Sequence, residues 1–283
     1  MFCFVLSSAM WCCFHYVYFE FMASRSLAEL EERCHVYISN MKEVNRNESA
    51  LVAAPIWRLI LELIGNSDLL SNETTSATGS HHAAIEEVVG SITHTSPVAP
   101  YFSRVTENML HAYRREYVIG AELAIKRGEE FLSNFPHQPI GIWDTYLRGL
   151  CLYAAAKLTG KRKYRRHAKK VRATIEKWVR QGNPNVRHHA TLLAAEDLSL
   201  QKKFKEARQS YESSIVAASR GGFIHDAAIA NERYALCLSV ELNDAESAQY
   251  HFDSAKQLYN EWGATSIADG LEKFKASAPR REE

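Results

Sequence analysis

The chain has 283 residues, 46% of them hydrophobic and 24% charged, with a formal net charge of +1. That length and balance exclude disorder across the whole chain and allow one large core, two domains or an extended stack of repeats. The charge excludes a global field for nucleic acid or an acidic membrane, so any electrostatic argument must rest on local patches.

Met1 to Met22 is rich in Phe, Tyr, Val, Cys and Trp. No Lys or Arg precedes the run, and His15 and Glu20 interrupt it, whereas a span needs roughly 18 or more uninterrupted apolar residues. A packed helix is therefore expected, in a cytoplasmic protein. Membrane association through residues 1–22 is the alternative, and under secretion Asn47-Glu48-Ser49 and Asn72-Glu73-Thr74 would be glycosylation acceptors. Cys3, Cys12, Cys13, Cys34, Cys151 and Cys237 show no Cys-x-x-Cys spacing. They read as reduced packing residues rather than a disulfide framework or zinc site.

Ser26-Leu27-Ala28-Glu29 has the form of a capping box and predicts a helix with the apolar face Leu27, Leu30, Cys34, Ile38, Met41 and Val44. A second helix is expected from Pro55 through Trp57, Ile60, Leu61 and Ile64 to a stop at Gly65. Residues 66–100 turn to Ser, Thr, Asn, Gly and His and predict a linker, with Ala83 to Val89 as its one short helix. His81-His82 inside it has only Glu86 one turn on, too few ligands for a metal.

From Tyr101 the helical signal is continuous. A helix that begins with Tyr117, Ala121, Ala124 and Ile125 and ends before Pro136, Trp143 to Leu158 closed by Gly160, and Lys161 to Trp178 closed by Gly182 follow one another. Phe204, Ala207, Tyr211 and Ser214 are followed 41 residues later by Ala245, Ala248, Phe252 and Ala255, at spacings that put each set on one helix face. Tyr117 with Ala121, Tyr164 with Ala168 and Phe204 with Ala207 put a ring about one turn ahead of a small residue each time. The reading is all-α, a tetratricopeptide-like antiparallel helix-hairpin solenoid over 101–277, after amino-terminal helices (1–65) and before a polar tail (278–283).

Several segments carry a likeness to a known family. They are Lys161-Arg162-Lys163-Tyr164, Lys177-Trp178-Val179 with Gly182-Asn183-Pro184-Asn185, and Gly222-Phe223-Ile224-His225-Asp226 running into Ala230-Asn231-Glu232-Arg233-Tyr234. With Leu258-Tyr259 and Trp262-Gly263-Ala264, they resemble the carboxyl-terminal helical-repeat region of large predicted-ATPase signalling proteins. In these a STAND-type ATPase and a tetratricopeptide-like array are joined to a protein kinase, hybrid histidine kinase or cyclase domain. The resemblance implies a regulatory module whose catalysis lies upstream. The chain itself has no Gly-x-x-x-x-Gly-Lys-Ser/Thr loop and no kinase glycine-rich loop, His-Arg-Asp or Asp-Phe-Gly.

Among candidate chemistry, His225-Asp226 with Glu232 suggests half of a metal-dependent hydrolase, but further ligands are not legible, and Asp226 reads as a first-turn helix charge. His188 and His189 point about 100° apart on a helix, so at most one is expected to join Glu196. No metal or cofactor is expected. Lys161, Arg162, Lys163, Arg165, Arg166, Lys169, Lys170 and Arg172 make a basic helix threaded by a buried stripe of Tyr164, Ala168, Val171, Ile175 and Trp178. Trp143, Tyr146, Leu150 and Tyr153 form a core face expected to pack against it. The function read from this is non-enzymatic protein binding. Arg187, His188, Glu196, Glu232 and Arg233 face a protein partner; the basic helix reads as a solvated face, with an acidic protein or an intramolecular acidic segment as the alternative, and nucleic acid and membrane are not expected partners. A metal-dependent hydrolase and a membrane-tethered adaptor are the alternatives.

Overall fold

The structure, a computed structural model, describes residues 2–45, 47–65 and 96–277. Among these residues every regular element is helical and no strand occurs. The chain opens with α1 (Phe2–Met22), α2 (Leu27–Glu43) and α3 (Asn47–Ile64). On α2 the face Leu27, Leu30, Cys34, Ile38 and Met41 is buried, while Val44 lies past the helix end and is exposed. Ser26 occupies the N-cap, but its side chain makes no capping bond; its carbonyl accepts from the Leu30 amide at 3.1 Å instead. α3 begins at Asn47 rather than at Pro55, which sits inside the helix. One missing amide donor costs little against the burial of Leu51, Ile56, Trp57, Leu59, Ile60 and Leu63.

Most of the expected linker, with His81-His82, Glu86 and Ala83 to Val89, lies outside the described residues. Its end is corrected: α4 (Ala99–Tyr113) already includes Pro100, and Ser96 Oγ accepts from the Val98 and Ala99 amides at 3.2 and 3.1 Å. Then follow α5 (Tyr117–Arg127), α6 (Glu130–Asn134), α7 (Ile140–Thr159) and α8 (Arg162–Arg180). The remainder is α9 (Arg187–Leu200), α10 (Phe204–Arg220), α11 (Ile224–Leu236), α12 (Ala245–Trp262) and α13 (Thr265–Ser277), with a π-helical turn at Cys237–Glu241.

Short turns make successive helices antiparallel neighbours, and α7 packs on α8, α9 on α10 and α11 on α12. At Gly160 the chain leaves α7 with φ of 68°, a left-handed exit that glycine adopts without a Cβ clash. The ring-and-small pattern is interior: Tyr117 and Ala121, Tyr164 and Ala168, Ala207 and Tyr211, and Ala248, Phe252 and Ala255 are all buried. Phe204 is half-buried and Ala245 exposed, both at helix starts.

The first helix of each pair is covered on nearly every side. On α11, small residues at Ala227, Ala228, Ala230 and Ala235 are all buried, together with His225, Asp226, Asn231, Glu232 and Arg233. One reason is that the amino-terminal helices pack against the later ones. α13 packs on α3, Thr265 Oγ1 donates to the Ile64 carbonyl, and Arg114 pairs with Glu62. Close approach needs Gly65, whose Cβ would come 3.2 Å from Ser266 Cβ at a φ of 94°. Phe21 of α1 inserts between Trp143 and Trp262, with ring centroids 6.3 and 5.4 Å away. Among the described residues, no helix is long and apolar enough to cross a membrane.

Candidate functional site

Polar chemistry concentrates where α1, α7, α9 and α11 meet. α9 starts immediately after a 3-10 turn at Pro184–Val186, so His188 and His189 lie in its first turn; α11 begins at Ile224, so His225 and Asp226 lie in its first turn too. His188 Nε2 and His189 Nε2 stand 2.7 and 2.9 Å from the same atom, Asp226 Oδ2. His225 Nε2 is 4.0 Å from that oxygen and has no hydrogen-bond partner among the described residues, while its Nδ1 meets Ser24 Oγ. All four side chains are buried, at 0% to 3% exposure.

Aromatic rings wall the cluster. His189 stacks on Tyr146 at 4.0 Å, His188 on Phe223 at 4.7 Å and His225 on Trp262 at 4.8 Å, with Trp143 at 4.1 Å from His225. This corrects the expectation that Trp143 and Tyr146 pack their rings on the basic helix. Burial pushes His189 down to about 4 and His225 to about 3, despite the pull of Asp226. For Asp226, burial opposes ionisation, yet the His189, His188 and His225 imidazoles outweigh it and hold the carboxyl below its ordinary range.

Two buried ion pairs flank the cluster. Glu196 receives Arg233 in a bidentate pair at 2.9 and 3.0 Å, Lys157 Nζ at 2.8 Å and the Tyr211 hydroxyl at 2.9 Å. Burial would raise its pKa, but the Arg233 and Lys157 charges reverse that and hold it at about 2. Glu232 receives Arg115 twice at 2.9 Å, and the Tyr117 and Tyr259 hydroxyls at 3.0 Å each. A cleft of about 380 Å³ opens beside the first pair, bordered by Tyr117, Leu158, Cys237 and Phe274, with Lys157 and Arg233 at its wall.

The residues predicted to face a partner are therefore redistributed. Arg187 is exposed, whereas His188, Glu196, Glu232 and Arg233 are buried and bound to groups within the chain. Neither histidine joins Glu196, because both reach Asp226; Glu232 turns away from His225 towards Arg115. The acid and imidazole groups that could not be placed together from spacing thus converge. Ser24, Arg115, Tyr117, Lys157, Tyr211 and Tyr259 were not singled out as partners of these groups. A signal was available on α11: small residues all around a helix mark it as buried, and a buried charge needs a partner.

On α8, Tyr164, Ala168, Val171 and Ile175 are buried and Trp178 half-buried. Lys163 pairs with Glu122, and Arg165 and Arg172 reach Asp197 at 3.5 and 2.9 Å. Lys161, Arg162, Arg166, Lys169 and Lys170 are exposed.

No family model, curated protein or solved structure matches the chain.

Proposed function

We propose that the chain is a non-enzymatic helical-repeat module, a tetratricopeptide-like solenoid of antiparallel hairpins that binds protein partners in the cytoplasm as the carboxyl-terminal part of an ATPase-coupled signalling system. The observation that carries this reading is the division of charge. Inside, His189, Glu196, His225, Asp226 and Arg233, whose proton affinities are strongly perturbed, are at most 4% exposed and packed among groups of the same chain. Outside, Arg162, Arg166, Lys169 and Lys170 stand in solvent on one helix. Their crowding is felt at His167, whose pKa is lowered by burial first and by Arg166 and Lys170 next.

Charge of one sign on a rigid helix steers an acidic partner and fixes its register. Nucleic acid fits less well, because the rings of α8 face inward and offer no stacking platform. The succession of helix pairs joined by ring-and-small contacts supports the solenoid, and the likeness of the Tyr101 to Phe274 region supports the ATPase connection. A hydrolase built on His225 and Asp226 would need a path for water and substrate, and Trp143, Trp262 and Phe21 cover that side. A membrane tether through α1 is disfavoured by Phe14, Val17, Tyr18 and Phe21, which are packed in the core.

Proximity labelling with the full chain in its native cell tests this reading. A variant carrying Arg166→Glu, Lys169→Glu and Lys170→Glu is expected to lose the principal labelled protein while melting at an unchanged temperature. An unchanged labelling profile overturns it, as does metal-dependent phosphoester hydrolysis by the purified chain that Asp226→Asn removes.

A further inference from the structure

The ligand atoms of His188, His189 and Asp226 lie within 4.8 Å of one another, in the interior. Without an ion this cluster is poorly satisfied. Asp226 Oδ1, His189 Nδ1 and His225 Nε2 have no hydrogen-bond partner among the described residues. Each such buried atom has lost its water without replacement, and native interiors hold few of them, so three in one place call for an explanation. Among the described residues the carboxylate also has no guanidinium: Arg233 is taken by Glu196 and Arg115 by Glu232. A buried charge needs a counter-charge or a metal.

We propose that His188, His189 and Asp226 hold a zinc-class divalent ion, with His225 turning its Nε2 inward as the fourth ligand. Imidazole nitrogen with one carboxylate oxygen is a borderline donor set that suits zinc, whereas calcium and magnesium take oxygen. Metal–ligand bonds of about 2.0–2.2 Å in a tetrahedron space the ligand atoms about 3.3–3.5 Å apart. The 2.7 and 2.9 Å separations at Asp226 Oδ2 therefore open by roughly half an ångström, the 4.0 Å to His225 Nε2 closes by about as much, and the widest spacing among the ligand atoms, up to 4.8 Å, closes further as the imidazoles turn onto the ion.

Ser24 supplies the orienting contact that metal-binding imidazoles ordinarily have. Its hydroxyl on His225 Nδ1 keeps the proton there and leaves the Nε2 lone pair for the ion. His189 has no such partner, and stacking on Tyr146 sets its ring instead. Four protein ligands in a closed interior leave no position for water, which is the arrangement of a structural site rather than a catalytic one. The ion would tie the turn after α1 to the starts of α9 and α11, and it is independent of which partner the α8 face binds.

The test uses the purified full chain, stripped with a chelator and titrated with zinc and with cobalt(II). One equivalent of zinc that survives gel filtration, a raised melting temperature and the visible spectrum of four-coordinate cobalt are expected. Asp226→Asn and His188→Gln are expected to abolish the cobalt spectrum. Ser24→Ala, which touches no ion, is expected to keep the spectrum but weaken binding about tenfold to a hundredfold. Should a ligand variant fail to fold, the wild-type titration and Ser24→Ala decide alone. A stripped wild-type chain that is helical by circular dichroism and takes up neither metal overturns the proposal, as does cobalt binding of equal affinity in folded Asp226→Asn.

Discussion

Glu196 shows how a single residue can be indispensable without touching a ligand. Its carboxylate faces two cations and a hydroxyl in the interior, where removing the carboxylate leaves the buried Arg233 charge uncompensated at a cost of about 3–5 kcal/mol. Arg115 makes the same point from the other side: it accepts a left-handed backbone at φ 63°, a conformation costing about 1–2 kcal/mol, to aim its guanidinium at Glu232. The pH dependence of the Glu196 pair has a definite sign. The folded pKa of about 2 lies below the ordinary 4.5, so the stabilisation is fully present above pH 4.5 and is lost as pH falls towards 2. Between pH 7 and pH 3.5 the unfolded chain takes up the proton first, which removes on the order of 1 kcal/mol of stability from the wild type. Glu196→Gln has no such proton to bind. Its deficit against the wild type, read from urea unfolding at both pH values, should therefore shrink by about that amount on acidification. A deficit that stays constant would mean the carboxylate is not held by Arg233 and Lys157.

At the scale of elements, what was legible in the sequence is what local backbone chemistry controls. The exit of α7 at Gly160 and of α3 at Gly65, and the buried stripe of α8, follow from residues within a turn or two of one another. The start of α3 was not legible, because Pro55 is a local signal for a first turn and only burial of the whole Leu51 to Leu63 face overrides it. The site failed for a related reason. His188 and Asp226 are 38 positions apart and Ser24 and His225 are 201 apart, and nothing in the spacing of either segment names the other. Helix stops are also where a substitution has the cleanest consequence. Gly160 has φ of 68°, and a Cβ added there would have nothing within 4 Å, so Gly160→Ala meets no neighbour and bears only the strain of the left-handed backbone. About 1–2 kcal/mol of destabilisation is expected in denaturant unfolding. A smaller change would mean that the α7–α8 turn relaxes to another conformation without cost.

For the whole molecule, the question is whether the amino-terminal helices are an appendage or part of one cooperative unit. The sequence separates residues 1–65 from the array by composition, yet the contacts run across that division: Phe21 meets Trp143, His225 and Trp262, and Gly65 lies against Ser266. Phe21 of α1 thus closes one side of the polar cluster carried by α9 and α11. The charged groups His188, His189, Glu196, Asp226, Glu232 and Arg233 of α9 and α11 are accordingly paired inward, while Arg162, Arg166, Lys169 and Lys170 of α8 stand exposed. Phe21 is fully buried, and Phe21→Ala is expected to cost about 3–5 kcal/mol through lost transfer energy and the cavity left behind. The way that loss is distributed is the sharper measurement. If α1 and α11 open together, hydrogen exchange of the amides from Phe14 to Phe21 and of those from Ala227 to Tyr234 reports one opening free energy, and Phe21→Ala lowers both by the same amount. Exchange in which α1 alone becomes labile while α11 keeps its protection would show that the stack stands without its plug, and that the polar interior becomes a surface whenever α1 leaves.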